Sequence, residues 1–296
     1  MLSAFKDGVY ELIPSGNRLQ RLATGFKFVE GPVWDVKTNS LLFSDILGNT
    51  LYRWAPEGRV VIERCPSNMS NGLALKDGKL LACEHAGRCL SIGDPGQSGT
   101  PLVQHYEGKL LNSPNDVIVR SDGTIYFTDP NFGLTAEFGV LAQQEQPFQG
   151  VYSIHPATQE LKLLVDTFGQ PNGLAFSPDE KRLYIDDSAT QEVHVYDVAA
   201  DGSLQNGRLF ARLDSSKGSG LADGLKIDMY ENVYVSGPGG ISIFDKTGTQ
   251  LGLLNIPETV ANLAWGGNEW KTLFITASTS LYSIETAVQG AVARCS

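Results

Sequence analysis

The sequence of 296 residues is poor in the residues that build cysteine-based and histidine-based centres. Its four cysteines show no Cys-x-x-Cys spacing, and it has only four histidines. A Cys-x-x-Cys zinc or redox site is therefore excluded, and a disulfide framework is disfavoured. We expect Cys65, Cys83, Cys89 and Cys295 to be reduced thiols, with Cys83 as a small buried residue. No Gly-x-Ser-x-Gly segment is present, so a serine hydrolase mechanism has no support.

Long apolar runs and an excess of basic charge are also missing. No run of about 20 apolar residues is available to span a bilayer, and residues 1–7 lack the regions of a signal peptide. We therefore expect a cytoplasmic protein with no membrane partner. Lysine and arginine number 23 against 33 acidic residues, a net charge of −10. Because an acidic surface repels phosphate backbones, nucleic acid is not expected as a partner. Nothing in the sequence indicates the oligomeric state.

A short phrase occurs six times and begins each time with a residue that carries a side-chain oxygen. The six first residues are Glu30, Asn71, Asn115, Asn172, Asp223 and Asn262. Their intervals of 41, 44, 57, 51 and 39 residues are close to the period of about 40 to 50 residues of propeller blades. Further β-rich runs and Gly/Asp turns follow each phrase. The pattern predicts an all-β, six-bladed β-propeller, with residues 1–296 as one domain.

The ends of the chain are expected to close this propeller. The last phrase leaves residues 262–296, which is room for three strands better than four. Either residues 9–13 or residues 19–24 could supply the missing outer strand and remove a free edge. The alternative fold is a β-sandwich with Asn-Gly hairpins. It is disfavoured because the phrase keeps a fixed place before a buried-type run and because Glu30 and Asp223 replace Asn within it.

Residues 131–149 depart from the blade plan. This segment is too long for a hairpin turn and contains Phe132, Phe138 and Phe148. Long loops in compact domains commonly act as lids or binding loops. We expect a flap over one end of the channel that shapes substrate choice, with a passive insertion as the alternative.

The repeated oxygens predict a cation site. The first strands of propeller blades line the central channel, so Glu30, Asn115, Asn172 and Asp223 should meet there. Two acids in such a place repel each other and raise a pKa unless a cation stabilises the ionised forms. Carboxylate and amide oxygens suit one divalent ion, Ca²⁺ above all, with Mg²⁺, Mn²⁺ or Zn²⁺ as alternatives. For Asn71 and Asn262 a local turn role is an equally good interpretation.

Several motifs in the same order resemble the gluconolactonase group of the regucalcin (senescence marker protein 30) family. They cover nearly the whole chain and lie at residues 28–34, 112–116, 126–130, 171–177 and 222–224. Residues 83–85 and 106–109 also resemble this group. The resemblance implies a six-bladed propeller with a divalent metal in its channel and lactone hydrolysis as its activity.

The resemblance also implies roles for single residues. Glu30, Asn172 and Asp223 match metal ligands, and Asn115 matches a further ligand or a substrate contact. Asp223 matches the proposed general acid/base, and His85 is placed near the site as a substrate-binding residue. The chain departs from some vertebrate relatives at Ser113, where they carry an arginine that contacts sugar.

The leading hypothesis is metal-dependent hydrolysis of a sugar lactone, such as glucono-1,5-lactone, to the aldonic acid, within carbohydrate metabolism. The cation would polarise the carbonyl, and Asp223 or else His85 would activate water. A histidine satisfied by hydrogen bonds at a strand end is an equally good interpretation of His85. One rival is a promiscuous hydrolase of other lactones, aryl esters or organophosphate-like esters on the same site. The other rival is a non-catalytic propeller, plugged by calcium, that binds a ligand or a protein.

Overall fold

Six antiparallel sheets surround a central channel in this structure, a computed structural model that describes residues 2–155 and 157–291. The predicted six-bladed propeller is therefore confirmed. The elements that precede the first blade are β1 (Leu2–Ala4), α1 (Val9–Leu12) and β2 (Gln20–Thr24). Blade 1 contains β3 (Val29–Asp35), β4 (Ser40–Asp45), β5 (Thr50–Trp54) and β6 (Val60–Arg64). Blade 2 contains β7 (Ser70–Lys76), β8 (Lys79–Glu84), β9 (Cys89–Gly93) and β10 (Thr100–Val103).

The remaining blades follow in chain order after a small hairpin of β11 (His105–Tyr106) and β12 (Lys109–Leu110). Blade 3 contains β13 (Val117–Val119), β14 (Ile125–Asp129), β15 (Gln149–His155) and β16 (Glu160–Phe168). Blade 4 contains β17 (Pro171–Phe176), β18 (Arg182–Asp187), β19 (Glu192–Val198) and β20 (Leu204–Arg212). Blade 5 contains β21 (Leu225–Ile227), β22 (Val233–Gly237), β23 (Gly240–Phe244) and β24 (Gln250–Asn255). Blade 6 contains β25 (Val260–Gly266), β26 (Thr272–Ala277) and β27 (Ser280–Glu285).

The N-terminal segment closes the propeller. Strand β2 pairs antiparallel with β27 and is the outer strand of blade 6. The second of the two N-terminal candidates thus supplies the missing strand, whereas most of the first forms the short helix α1, with Val9 and Leu12 buried. Strand β1 adds a fifth strand to blade 5 by pairing with β24. Both additions cover strand edges that would otherwise be exposed.

The apolar core lies between the blades. Along β4, Leu41 and Phe43 pack towards blade 6, whereas Leu42 packs towards Leu73 of blade 2. Successive side chains of a strand point to opposite faces of its sheet, and here both faces are buried. This explains why the second strand of each blade contains consecutive apolar residues. The same packing is repeated between every pair of neighbouring blades.

Three smaller expectations can be compared with the structure. Residues 130–148 form a connection between β14 and β15 that carries one short 3-10 helix, Phe132–Leu134. Cys65, Cys83 and Cys89 are free thiols, with Cys83 fully buried, whereas Cys295 lies outside the described residues. Within residues 2–155 and 157–291, no helix has the length and apolar character needed to cross a membrane.

Candidate functional site

The repeated phrase marks a place where the innermost strands of neighbouring blades come very close together. The pairing register shifts within the phrases that begin at Glu30 and Asn172, which is the mark of a β-bulge. A Cβ atom at Gly31 would overlap the carbonyl oxygen of Asn71, and one at Gly173 would overlap that of Asp223. Glycine is therefore required by backbone approach. The Asn-Gly pairs at residues 71–72 and 172–173 lie within strands and do not form hairpin turns.

Backbone hydrogen bonds join the phrases across the blade boundaries. The nitrogen of Gly72 donates to the carbonyl oxygen of Asn115 at 2.8 Å, and that of Gly173 donates to Asp223 at 2.9 Å. The nitrogen of Gly224 donates to Ala261 at 2.8 Å. Because each bond fixes one phrase against the next, the side chains that precede the glycines are held around one axis.

Five of the six phrase residues line a single cavity of about 70 Å³. They are Glu30, Asn71, Asn115, Asn172 and Asp223, and His85 lies beside them. A buried water needs only about 10 to 15 Å³ of such space, so the cavity has room for a cation together with several waters or part of a substrate. The structure brings together all the site residues that the sequence predicts: Glu30, His85, Asn115, Asn172 and Asp223.

Asn262, the sixth phrase residue, uses its side chain differently. Its carboxamide oxygen accepts a hydrogen bond from the Leu263 backbone nitrogen at 2.8 Å and lies 3.4 Å from the Lys226 ammonium. Its side chain also hydrogen-bonds Glu30. Of the two interpretations of Asn262, these contacts favour the local hydrogen-bonding role.

The two acids of the set interact directly. The carboxyl groups of Glu30 and Asp223 share a hydrogen bond, and Glu30 Oε2 also accepts from the Gly31 nitrogen at 2.6 Å. Burial raises the pKa of Glu30 to about 7, with the charge of Asp116 adding to the effect. Burial and then the charges of Glu30 and Asp186 raise the pKa of Asp223 well above its usual value. A bound cation would reverse both effects by stabilising the ionised forms.

The donor set fits a hard divalent cation. The Asn172 nitrogen Nδ2 donates to Ser188 Oγ at 3.1 Å, and this orients the carboxamide. Its oxygen, Oδ1, is buried and has no hydrogen-bond partner. In the part of the chain that the structure describes, no group of three or more His, Cys, Asp or Glu side chains could hold a metal. An ion here would depend on two carboxylates and on amide oxygens, a set suited to Ca²⁺ or Mg²⁺ rather than to Zn²⁺.

His85 follows β8 and connects the cavity to the loop above it. Its Nδ1 lies 2.8 Å from the carbonyl oxygen of Phe138, and its Nε2 lies 3.2 Å from Asn71 Nδ2. Burial lowers the pKa of His85 to about 4, although the Phe138 carbonyl opposes this shift. The imidazole is consequently neutral at physiological pH.

The long connection before β15 supplies part of the cavity wall. Phe132 and Phe138 line the cavity together with Phe28, and the rings of Phe28 and Phe138 lie 5.2 Å apart. We call these three side chains the aromatic wall. Phe148, the third phenylalanine of the segment, packs instead near Tyr106, with ring centroids 6.4 Å apart.

Ser113 anchors the same connection. Its hydroxyl oxygen accepts a hydrogen bond from the Gly133 nitrogen at 2.9 Å and donates to the Pro130 carbonyl oxygen at 2.6 Å. A larger side chain at Ser113 would displace the short helix, because Gly133 packs against Ser113 and His85. The residue that departs from the vertebrate pattern thus has a defined role in holding the loop.

Sequence reasoning missed a second layer of polar side chains along the channel. The Lys226 ammonium lies 3.4 Å from Asp116 Oδ2. Asp186 Oδ1 accepts a hydrogen bond from the Gly173 nitrogen at 3.1 Å, while its Oδ2 is buried without a partner. Burial raises the pKa of Asp186 well above its usual value. The available signal was position, since Asp116 and Lys226 each lie within three residues of a phrase start.

Comparison with known proteins identifies the relatives of this chain. A family model described as the SMP-30/Gluconolactonase/LRE-like region matches residues 28–279. A gluconolactonase of Zymomonas mobilis subsp. mobilis is 32% identical, and the match covers 98% of this chain and 87% of that protein. The sequence similarity therefore extends over nearly the whole propeller.

Solved structures show the same relationship. A gluconolactonase of Xanthomonas campestris superimposes with a TM-score of 0.90 at 33% identity, over 96% of this chain and 94% of that one. A calcium-binding regucalcin of Agrobacterium tumefaciens has a TM-score of 0.77 at 19% identity, over 93% of this chain and 95% of that one. At this lower identity, the likeness shows a shared fold alone.

Proposed function

Because this chain belongs to the SMP-30/gluconolactonase/LRE-like family and is a lactone hydrolase, we propose that it converts a sugar lactone of the glucono-1,5-lactone type to the aldonic acid in the channel cavity. The observation that carries the proposal is the pair of hydrogen-bonded carboxyls, Glu30 and Asp223, beside the unpartnered oxygen of Asn172. Such a group is costly to bury without a cation or a polar ligand. The similarity to two gluconolactonases supports a lactone as that ligand.

The ion site is the first part of this proposal. Glu30, Asn115, Asn172 and Asp223 would hold one divalent cation, with Ca²⁺ favoured by the all-oxygen set and Mg²⁺, Mn²⁺ and Zn²⁺ as the alternatives. When bound, such a cation polarises the lactone carbonyl and stabilises the negative charge that develops on its oxygen. Asn115 also contacts the substrate.

Asp223 carries the proton in this mechanism. Its carboxylate accepts a proton from water as the water oxygen bonds to the carbonyl carbon. The same proton then passes to the ring oxygen as the ring C–O bond breaks, which leaves the open-chain aldonic acid. His85 is less suited to this task because its Nε2 lone pair faces the Asn71 amide nitrogen. We assign His85 to substrate positioning.

A second candidate function uses the same site. The aromatic wall of Phe28, Phe132 and Phe138 favours apolar substrates, such as aryl esters or lactones with apolar substituents. The two candidate functions differ in the contacts that the preferred substrate makes with the site. A sugar lactone needs hydrogen-bond partners for its hydroxyl groups, whereas an aryl ester needs contact with the wall.

A substrate panel tests the proposal. The purified protein would be assayed with glucono-1,5-lactone, with unsubstituted δ-valerolactone and with phenyl acetate. We expect kcat/KM to be highest for glucono-1,5-lactone. A higher value for phenyl acetate would favour the promiscuous esterase, and no hydrolysis of any member would support the non-catalytic propeller.

A further inference from the structure

Asn71 presents an unused hydrogen-bond acceptor to the cavity. Asn71 is 3% exposed, and its side chain lines the cavity beside His85. Its nitrogen Nδ2 lies 3.2 Å from His85 Nε2. Its oxygen Oδ1 is buried and has no hydrogen-bond partner. The local turn role considered for this residue does not account for that oxygen.

The hydrogen bonds of His85 determine which way the Asn71 amide points. The Phe138 carbonyl oxygen, 2.8 Å from Nδ1, can only accept, so Nδ1 must carry a proton. A neutral imidazole carries one proton, and Nε2 is therefore an acceptor. Only the amide nitrogen of Asn71 can donate to it. The amide oxygen is thus turned away from His85, and the carbonyl of the loop indirectly sets its direction.

No donor of the described residues reaches Asn71 Oδ1, and two of the neighbouring donors have partners elsewhere. The Asn172 amide nitrogen donates to Ser188, and the Ser188 hydroxyl donates to the Ala222 carbonyl oxygen. Leaving a buried acceptor without a partner is destabilising. The partner of Asn71 Oδ1 therefore comes from whatever molecule fills the cavity. A hydroxyl group of a sugar lactone could donate this hydrogen bond.

We propose that Asn71 Oδ1 accepts a hydrogen bond from a hydroxyl group on the ring of the lactone, and that His85 is the positioning residue that orients this acceptor. The inference rests on the proposed function and deepens it. This hydrogen bond would make the site selective for hydroxylated lactones over lactones without ring hydroxyl groups. A site with a buried group dedicated to a substrate hydroxyl discriminates against analogues that lack it.

The test compares kcat/KM for glucono-1,5-lactone with that for δ-valerolactone. In Asn71→Ala the ratio of the two values should fall by about tenfold, the worth of one hydrogen bond. His85→Phe should lower the ratio similarly, and the double variant should lower it no further, because both changes remove the same interaction. His85→Gln, which retains a donor and an acceptor, should recover part of the ratio. Gln205→Ala, a change of an exposed amide on β20, is the matched control.

Three results would overturn the inference. An equal loss of kcat/KM for both lactones in Asn71→Ala would show that Asn71 supports the fold or the chemical step and does not bind a substrate hydroxyl group. A loss of Ca²⁺ affinity of more than about tenfold would make Asn71 an ion ligand. If the losses in this ratio were additive in the double variant, Asn71 and His85 would act independently. Should Asn71→Ala fail to fold, Asn71→Ser provides the same comparison.

Failure of the proposed function gives a different pattern. If the wild-type protein hydrolysed neither lactone, the activity proposal would fail. The inference would then be decided by calorimetric titration with 1,5-anhydro-D-glucitol, a six-membered ring that carries the same hydroxyl groups without the ester. Weaker binding by Asn71→Ala than by the wild type supports the hydroxyl contact, and equal binding contradicts it.

Discussion

The backbone nitrogen of Gly173 donates a hydrogen bond of 2.9 Å to the carbonyl oxygen of Asp223. This bond crosses from blade 4 to blade 5 and brings the side chains of Asn172 and Asp223 to the same cavity. The site is therefore built by contacts between blades, and the close approach of two backbones is part of its construction.

Gly173→Ala should disrupt both the fold and the ion site. The new Cβ atom would overlap the Asp223 carbonyl oxygen and the Leu225 nitrogen. Because these are backbone atoms, we expect a loss of about 3 kcal/mol or more in the free energy of unfolding, together with weaker Ca²⁺ binding. Urea denaturation measures the loss. Gly16→Ala, where no atom lies within 4 Å of the added carbon, should change little and is the control. Equal stability of the two variants would disprove the close-packed junction.

Conservative changes of the two acids should separate their roles. Glu30→Gln weakens binding of the ion but leaves the proposed base in place, so saturating metal should restore much of the activity of this variant. Asp223→Asn removes the base, and loss of a general base typically costs about 10² to 10⁴ in rate, which metal cannot restore. The measurement is a metal titration of both variants against one lactone, with folding checked by circular dichroism. Full rescue of Asp223→Asn would show that Asp223 is only a ligand.

The aromatic wall should influence selectivity more than stability. Phe138→Ala removes a ring that lies 5.2 Å from Phe28 but keeps the backbone carbonyl that binds His85. We expect kcat/KM for phenyl acetate relative to glucono-1,5-lactone to fall by about tenfold, since apolar contacts discriminate on this scale. Leu141→Ala, in the same loop but 78% exposed, is the control. If Phe138→Ala folded well with unchanged selectivity, the loop would be a passive insertion.

The metal-free protein, prepared with a chelator, should lose stability as the pH rises. Burial raises the folded-state pKa of Glu30 from 4.5 to about 7, so between these values the folded state binds more protons than the unfolded state. The stabilising effect of the protonated form is complete below pH 4.5 and is lost as the pH rises through about 7. Urea unfolding at several pH values measures this trend.

Two comparisons check the assignment of this pH dependence to Glu30. Glu30→Gln, which cannot titrate at this position, should show a flatter profile over the same range. Saturating Ca²⁺ should oppose the trend, because the ion binds the ionised carboxylate. A chelated wild-type protein that became more stable with rising pH, in parallel with Glu30→Gln, would contradict the assignment.

The sequence predicted the parts of the fold that repeat. Six phrases with Glu30, Asn71 and their equivalents sufficed for the blade number, because each phrase lies at or next to the start of the innermost strand of one blade. The alternation of Leu41, Leu42 and Phe43 between two interfaces produced the apolar runs that identified the strands. Closure by β2 could not be chosen in advance, since residues 9–13 are also apolar in part and form α1 instead.

The site was only partly predictable, because its details depend on side-chain orientation. Asn262 and Asn172 occupy equivalent places in the repeat. The oxygen of Asn262 accepts from its neighbouring backbone nitrogen, whereas that of Asn172 is left without a partner. Sequence spacing cannot distinguish these two rotamers. The contact of Lys226 with Asp116 joins residues 110 positions apart, so it could be recognised only in the folded channel.

The most direct test of the central claim is the rate of glucono-1,5-lactone hydrolysis as a function of free divalent ion. The purified protein would be treated with a chelator, and its rate, corrected for spontaneous hydrolysis, would be followed as Ca²⁺ is added back. We expect the rate of the metal-depleted protein to fall to that of Asp223→Asn and added Ca²⁺ to restore it along a single saturable curve. A chelated protein that keeps the full rate of the untreated enzyme would contradict it.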